Sequence, residues 1–282
     1  MKKSIVIFAN SRPQLLRNCI DSVLGAYENE QWKKVLVLQT GYQAVEDTFK
    51  EYEKHFDLAV RIKKQQQTIL GNINQNRILG TSICFNLLNS DVVLGIEEDT
   101  SIGYDSLHFI DEMCAHFGTN NKFRGVNLGS LEPNTEENRY SYSLLRYGLH
   151  GQAGALTRET WDKISIPKLL MDIDSSGWDS RIESYLKTGF MVTPNASRLL
   201  DQGWDGTHQP KDPNSSYFVN LRISWVGSDP FPVNKFKRID IQHTWRKDAQ
   251  NFQRIESFVY FAKHNRHLYA FVKIMKRILV SK

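Results

Sequence analysis

The stretch DVVLGIEEDTSIGYDSL, residues 91–107, decides how this chain folds. Val92, Val93, Leu94 and Ile96 make an apolar run of strand length, and three consecutive acids, Glu97, Glu98 and Asp99, follow without a break. A run that is apolar on both sides belongs to a strand covered on both faces. The acids at its end have two readings. They are either solvated at an exposed strand terminus, or they hold a cation, since clustered carboxylates are natural ligands of Mg²⁺ or Mn²⁺.

The flanking sequence favours the cation. SIVIFAN (4–10) reads as a buried first strand, and SRPQLLRNCIDSVLGA (11–26) as a helix with Ser11 at its N-cap and Pro13 in its first turn. KVLVLQTG (34–41) is a second strand, residues 43–56 a charged helix, LAVRIK (58–63) a third strand and residues 71–89 a further helix. Apolar strands alternating with helices predict βαβ units and an α/β fold with a mainly parallel sheet. Ligands of such sheets bind outside the carboxyl ends of the strands. Asn10 to Arg12 and Glu97 to Asp99 fall at those ends, so the triplet is in the right place for a site.

Downstream, residues 104–117 read as a packing helix and NLGSLEPNTEENRYSYSLLRYG (127–148) as a polar loop over a pocket. GLHGQAGALTRETWDKI (148–164) reads as a glycine-rich strand or turn entering a helix, without phosphate-binding loop spacing. In SSGWDSRIESYLKTGF (175–190), Trp178, Ile182, Tyr185 and Leu186 would bury one helical face. Asp179 in its first turn is either a dipole partner or a general base. In TPNASRLLDQGWDGTH (193–208), glycines around His208 suggest a tightly bent loop, leaving that histidine as a surface residue or a ligand.

Composition bounds the function. The 282 residues are 40% hydrophobic, which suits one large or two smaller α/β domains. Cys19, Cys84 and Cys114 are too few and too scattered for a disulfide framework or a zinc site, which points to a reducing compartment. No run approaches the roughly 20 apolar residues of a membrane span. Residues 251–282 carry seven Lys/Arg against Glu256, so the net charge of +5 sits on the tail and the body is near neutral. With no nucleic-acid motif, a nucleic-acid partner is not expected. KHNRHLYAFVKIMKRILVSK (263–282) spaces apolar residues as in a basic amphipathic helix, either docked on the domain or resting on an anionic membrane.

Taken in order, these segments resemble a GT-A type glycosyltransferase, and most closely the N-acetylglucosaminyltransferase I-like enzymes and related bacterial glycosyltransferases. IVIFANSRPQLLRNCIDSVL resembles the opening strand and helix of that family, LGNINQNRILG the helix before the acidic motif, and EED its variant of the Asp-x-Asp motif. The resemblance implies a Rossmann-like, mixed sheet over residues 1–225, with a nucleotide-binding half (1–100), an acceptor and catalytic half (101–225) and a C-terminal extension (226–282). It implies donor contacts from Ala9, Asn10, Arg12, Arg77, Glu97 and Glu98, with Glu97 at the ribose. It places Mn²⁺ or Mg²⁺ on Asp99 with His208 nearby, and makes Asp179 the base. The implied partners are a nucleotide-sugar donor and a glycan or lipid-linked glycan acceptor, in a cytoplasmic enzyme that is peripheral to the membrane at most. Two departures stand out: Glu98 replaces the commoner Asp, and Trp178-Asp179 replaces a Glu-Asp pair. A sugar nucleotidyltransferase and an inactive glycan-binding relative are the alternatives.

Overall fold

The computed structural model describes residues 1–63, 68–145, 153–171, 173–174, 177–178, 182, 185–186, 188–205 and 212–241. Its first half lays strands and helices down alternately. β1 (Lys3–Ala9) leads to α1 (Pro13–Gly25), β2 (Lys33–Gln39) to α2 (Gln43–Tyr52), β3 (Leu58–Ile62) to α3 (Ile69–Ser82), and then β4 (Val92–Glu97) follows. Within the apolar runs of β1, β2 and β4, side chains alternate between two core layers although all of the apolar ones are buried. Ile5, Ile7, Leu36, Leu38, Leu94 and Ile96 pack on one face with Leu16, Ile20 and Val23 of α1. Val6, Phe8, Val35, Val37 and Val93 pack on the other, with Ile78 of α3. Burying each such aliphatic side chain is worth about 1.5–3 kcal/mol, so this two-faced sheet dominates the stability of the first half.

The second half adds β5 (Thr100–Ile102), α4 (Ser106–Phe117), β6 (Phe123–Asn127), α5 (Glu136–Arg139), β7 (Ser141–Leu145) and β8 (Ala153–Thr157). It continues with α6 (Arg158–Asp162), α7 (Ile166–Leu170), β9 (Phe190–Pro194), β10 (Leu199–Asp201), α8 (Ser216–Ser224) and β11 (Lys237–Arg238). Among the described residues the main sheet has nine strands, in the order β11-β7-β9-β6-β8-β4-β1-β2-β3. β3, β2, β1 and β4 are parallel neighbours, β8 runs against both β4 and β6, and β7 runs against β9. This is the mixed, mainly parallel α/β sheet flanked by helices that the sequence predicts. β10 and β5 form a separate two-stranded antiparallel ribbon.

Two local expectations need correction. The segment 127–148, read as a loop, contributes a strand of the main sheet, β7. Its serines are buried because their hydroxyls are satisfied: Ser143 donates to Asn195 Oδ1 at 2.7 Å, and Asn195 donates to Ser141 Oγ at 2.9 Å. The helix expected over 71–89 ends as α3 at Ser82 and continues as a π-helical turn over Ile83–Leu87, which buries Cys84 and Phe85 together. All three cysteines are buried thiols, and burial pushes Cys84 and Cys114 up to about 12.

Residues Met1–Ile241 make one compact unit. Its last segment returns along the sheet, where β11 pairs with β7 and Phe236 packs edge-on against Phe109 at 4.8 Å. Among the described residues no helix is long and apolar enough to cross a membrane. The basic tail helix lies outside the described residues.

Candidate active site

β1, β2 and β4 run parallel, so their carboxyl ends open on one edge of the sheet. A cleft there is lined by Phe8 and Ala9 at the end of β1, Asn10 and Arg12 after it, Gln39 at the end of β2, Glu97 at the end of β4 and Glu98 just beyond, with Ile73, Asn76 and Arg77 of α3. α3 reaches this edge because Gly80 lets it settle onto the sheet; a Cβ there would lie 2.8 Å from side-chain atoms of Phe8 and Val37.

The three acids have three different surroundings. Glu97 is half-buried and accepts from Arg77 at 2.6 Å, while the Arg77 guanidinium rests 5.1 Å over the Phe8 ring. Glu98 is 2% exposed and accepts three hydrogen bonds: from the Asn10 amide at 2.6 Å, the Ser11 amide at 3.3 Å and Arg12 Nε at 3.1 Å. Glu98 therefore anchors the turn after β1 to the end of β4. Asp99 accepts from Arg12 Nη2 at 2.6 Å, and Asp205 stands 3.8 Å from Arg12 Nη1.

Burial sets the electrostatics. Loss of water pushes both Glu98 and Asp99 above the usual carboxylate range, and for Asp99 the neighbouring Glu97 charge adds to the rise. The amides of Asn10 and Ser11 and the Arg12 charge pull the other way on Glu98. Burial lowers Arg12, but the attraction of Asp99 and Glu98 outweighs it and holds the guanidinium more firmly charged than usual.

A loop is pressed onto Asp99. The Asp99 carbonyl accepts from the Gln202 amide at 2.7 Å, and Thr100 pairs with Asp201 in the β5–β10 ribbon. A Cβ on Gly203 would lie 2.1 Å from Asp99 Oδ2, so only glycine lets the backbone pass. Trp204, next in the chain, is exposed.

The Asp99 carboxylate bears on whether a divalent cation fits here. Asp99 Oδ1 is buried with no hydrogen-bond partner, and Oδ2 already faces a cation, the Arg12 guanidinium. A buried, unpartnered carboxylate oxygen suits a hard cation. Among the described residues, however, no three His, Cys, Asp or Glu side chains converge on one ion position. Asp99 fits the ion expected for it, and a complete coordination set is not found among the described residues.

The structure thus brings together seven of the residues singled out by sequence: Ala9, Asn10, Arg12, Arg77, Glu97, Glu98 and Asp99. Asp179 and His208, the expected base and second metal ligand, lie outside the described residues. Sequence reasoning passed over Gln39, Asn76 and Asp205. Gln39 had a usable signal, because it ends the second apolar run just as Asn10 follows the first. Asp205 had none beyond its place in a glycine-flanked turn.

No family model and no curated protein sequence matches the chain. Among solved structures, it is similar to the mannosyltransferase PcManGT from Pyrobaculum calidifontis in complex with GDP-Man and Mn2+: 11% identity, TM-score 0.46, covering 69% of this chain and 55% of that one. It is also similar to S. aureus TarS, at 10% identity and TM-score 0.48 over 71% of this chain and 36% of that one. The UDP complex of TarS 1–349 matches at 10% identity and TM-score 0.45, over 70% of this chain and 59% of that one. The chain spans less than two thirds of the length of each of these proteins.

Proposed function

We propose that this chain is a metal-dependent glycosyltransferase that moves a sugar from a nucleotide diphosphate sugar, a UDP-sugar in the first instance, to a hydroxyl of a glycan or lipid-linked glycan. The observation that carries the reading is the cleft at the carboxyl ends of β1, β2 and β4, where three carboxylates and two arginines meet. Its wall offers the amides of Asn10, Gln39 and Asn76, groups able to pair with the edge of a nucleobase. The order of the sequence motifs resembles that of the branch-building N-acetylglucosaminyltransferases and supports the same reading.

A divalent ion held by Asp99 would supply Lewis-acid stabilisation of charge on the departing diphosphate. The chain's own groups do the remainder. Arg77, buried and braced by Phe8 and Glu97, presents a fixed positive charge beside the cleft. Glu98 holds the Asn10–Arg12 turn in place through its three hydrogen bonds. Asp179 is proposed to take the proton of the acceptor hydroxyl, whose oxygen then attacks the anomeric carbon opposite the leaving group, giving inversion. The basic tail is proposed to hold the enzyme at the inner face of an anionic bacterial membrane, where surface polysaccharide is assembled.

The test is thermal stabilisation by UDP, GDP and their sugar derivatives, each with and without Mn²⁺, followed by transfer assays with the donors that bind. A Mn²⁺-dependent shift that vanishes in Asp99→Ala supports the reading. Binding without transfer to any acceptor would leave a glycan-binding relative, and no shift with any nucleotide overturns the donor site.

A further inference from the structure

Arg12 has a position that donor binding alone does not explain. Its guanidinium spans three carboxylates at once: Glu98 Oε1 at 3.1 Å, Asp99 Oδ2 at 2.6 Å and Asp205 Oδ1 at 3.8 Å. Asp205 comes from the loop that Gly203 presses against Asp99, and its side chain is otherwise largely exposed. One cation therefore ties the acid triplet to the loop above it. The Arg12 side chain is itself 31% exposed, so the guanidinium has an open path to solvent. The other Asp99 oxygen is buried and unpartnered. Asp99 and Asp205 share this one cation, which offsets the charge of both.

Resting on the metal-dependent reading of this site, we propose that Arg12 is its resident cation, and that a divalent ion binds by exchange with it. Asp205 is the second carboxylate of that ion's site. In the metal-free protein Arg12 neutralises Asp99 and Asp205 and keeps the 203–205 loop closed down. On metal binding the two carboxylates turn to the ion and the guanidinium is released toward the cleft, where it faces the phosphates of the donor. Metal and donor binding are coupled through a single side chain that cannot serve both partners.

Exchange makes a prediction opposite in sign to that for a metal-supporting arginine. Mn²⁺ binding is measured by titration calorimetry on the full chain, without donor, for the parent, Arg12→Met, Arg12→Lys, Arg77→Met and Arg12→Met/Asp205→Asn. Arg12→Met should bind Mn²⁺ about tenfold tighter than the parent, melt lower without Mn²⁺ and show the larger Mn²⁺-induced rise in Tm. Arg12→Lys, which keeps the charge and loses the fork, should fall between, and it carries the test if Arg12→Met does not fold. Arg77→Met removes the same charge from the triplet at Glu97, not at Asp99, and should raise Mn²⁺ affinity clearly less than Arg12→Met does. Adding Asp205→Asn to Arg12→Met should cancel most of the gain. Unchanged or weaker Mn²⁺ binding in both Arg12 variants overturns the exchange, as does an equal gain in Arg77→Met. If Asp205→Asn has no effect, the second ligand is misassigned and the proposal fails in that form. No Mn²⁺ binding by any variant removes the metal-dependent reading itself, an outcome distinct from Mn²⁺ binding that ignores Arg12.

Discussion

Among the arginine–carboxylate clusters of the described residues, those of Arg198 and Arg12 are built to opposite ends. Arg198 and Asp105 are both fully buried, joined at 2.9 Å, and the Arg198 guanidinium packs against the rings of both Phe109, at 4.9 Å, and Phe236, at 4.6 Å. It also donates to the backbone carbonyls of Ala196 and Arg139. Arg12 makes comparable bonds to Glu98 and Asp99, yet it lines an open cleft. Unsatisfied atoms do not separate the two, because Asp105 Oδ1 is as unpartnered as Asp99 Oδ1. What differs is whether the cation can leave. Aromatic rings seal Arg198 into the core and make it a fastener. A side chain with one face in water can be replaced by a ligand, which is what the proposed exchange asks of the Arg12 cluster.

The sharpest way to break this contrast is at the fastener. Removing one partner of a buried pair strands the other charge, so Arg198→Ala should cost about 3–5 kcal/mol in urea denaturation. A loss below about 1 kcal/mol, the range of surface pairs, would show that the aromatic seal does not matter.

Asp99→Asn should do the reverse. It removes a carboxylate that burial disfavours, so urea stability should hold or rise. Transfer should fall by about 10³ through loss of several kcal/mol of transition-state stabilisation. Stability and activity falling together would place Asp99 in the fastener class.

Gly203→Ala tests the loop between these limits. Its Cβ would meet Asp99 at 2.1 Å, and relief of such overlap costs about 1–3 kcal/mol. Loss of Mn²⁺ binding beyond the stability change, followed by calorimetry, is the expected sign that the loop belongs to the site.

The smallest effect belongs to the exposed pair Arg238–Asp240, at 2.7 Å. The hydrogen bond from Arg238 holds Asp240 below the usual carboxylate range. A lowered folded-state pKa contributes stability above the unfolded value of about 3.9, lost as pH falls through the folded value. Asp240→Asn should therefore lie slightly below the parent at neutral pH and merge with it in acid. A gap that widens in acid would reverse the sign.

The parallel half of the fold was legible because each strand is an unbroken apolar run and both faces of the sheet are covered. The same logic found Asn10, Arg12 and the acid triplet, which sit where such runs stop. It missed β7, because Ser141, Tyr142 and Ser143 look like a surface strand until Asn195, more than fifty residues away, bonds both serine hydroxyls. It passed over the buried amides of α3, where Asn72, Asn74 and Asn76 give the helix no apolar face to read. That Arg12 contacts both Glu98 and Asp99 is a tertiary fact with no sequence signature, and Asp205 joins them only because Gly203 lets its loop lie flat on Asp99.

The β5–β10 ribbon has a consequence for redesign. It is three residues long on each side and stands apart from the main sheet, so a substitution confined to it leaves the strand register of that sheet alone. What it moves is the seat of Asp99, because Gln202 and Gly203 follow directly on β10 and lie against that residue: the ribbon is a place to retune one carboxylate without rebuilding the floor beneath it.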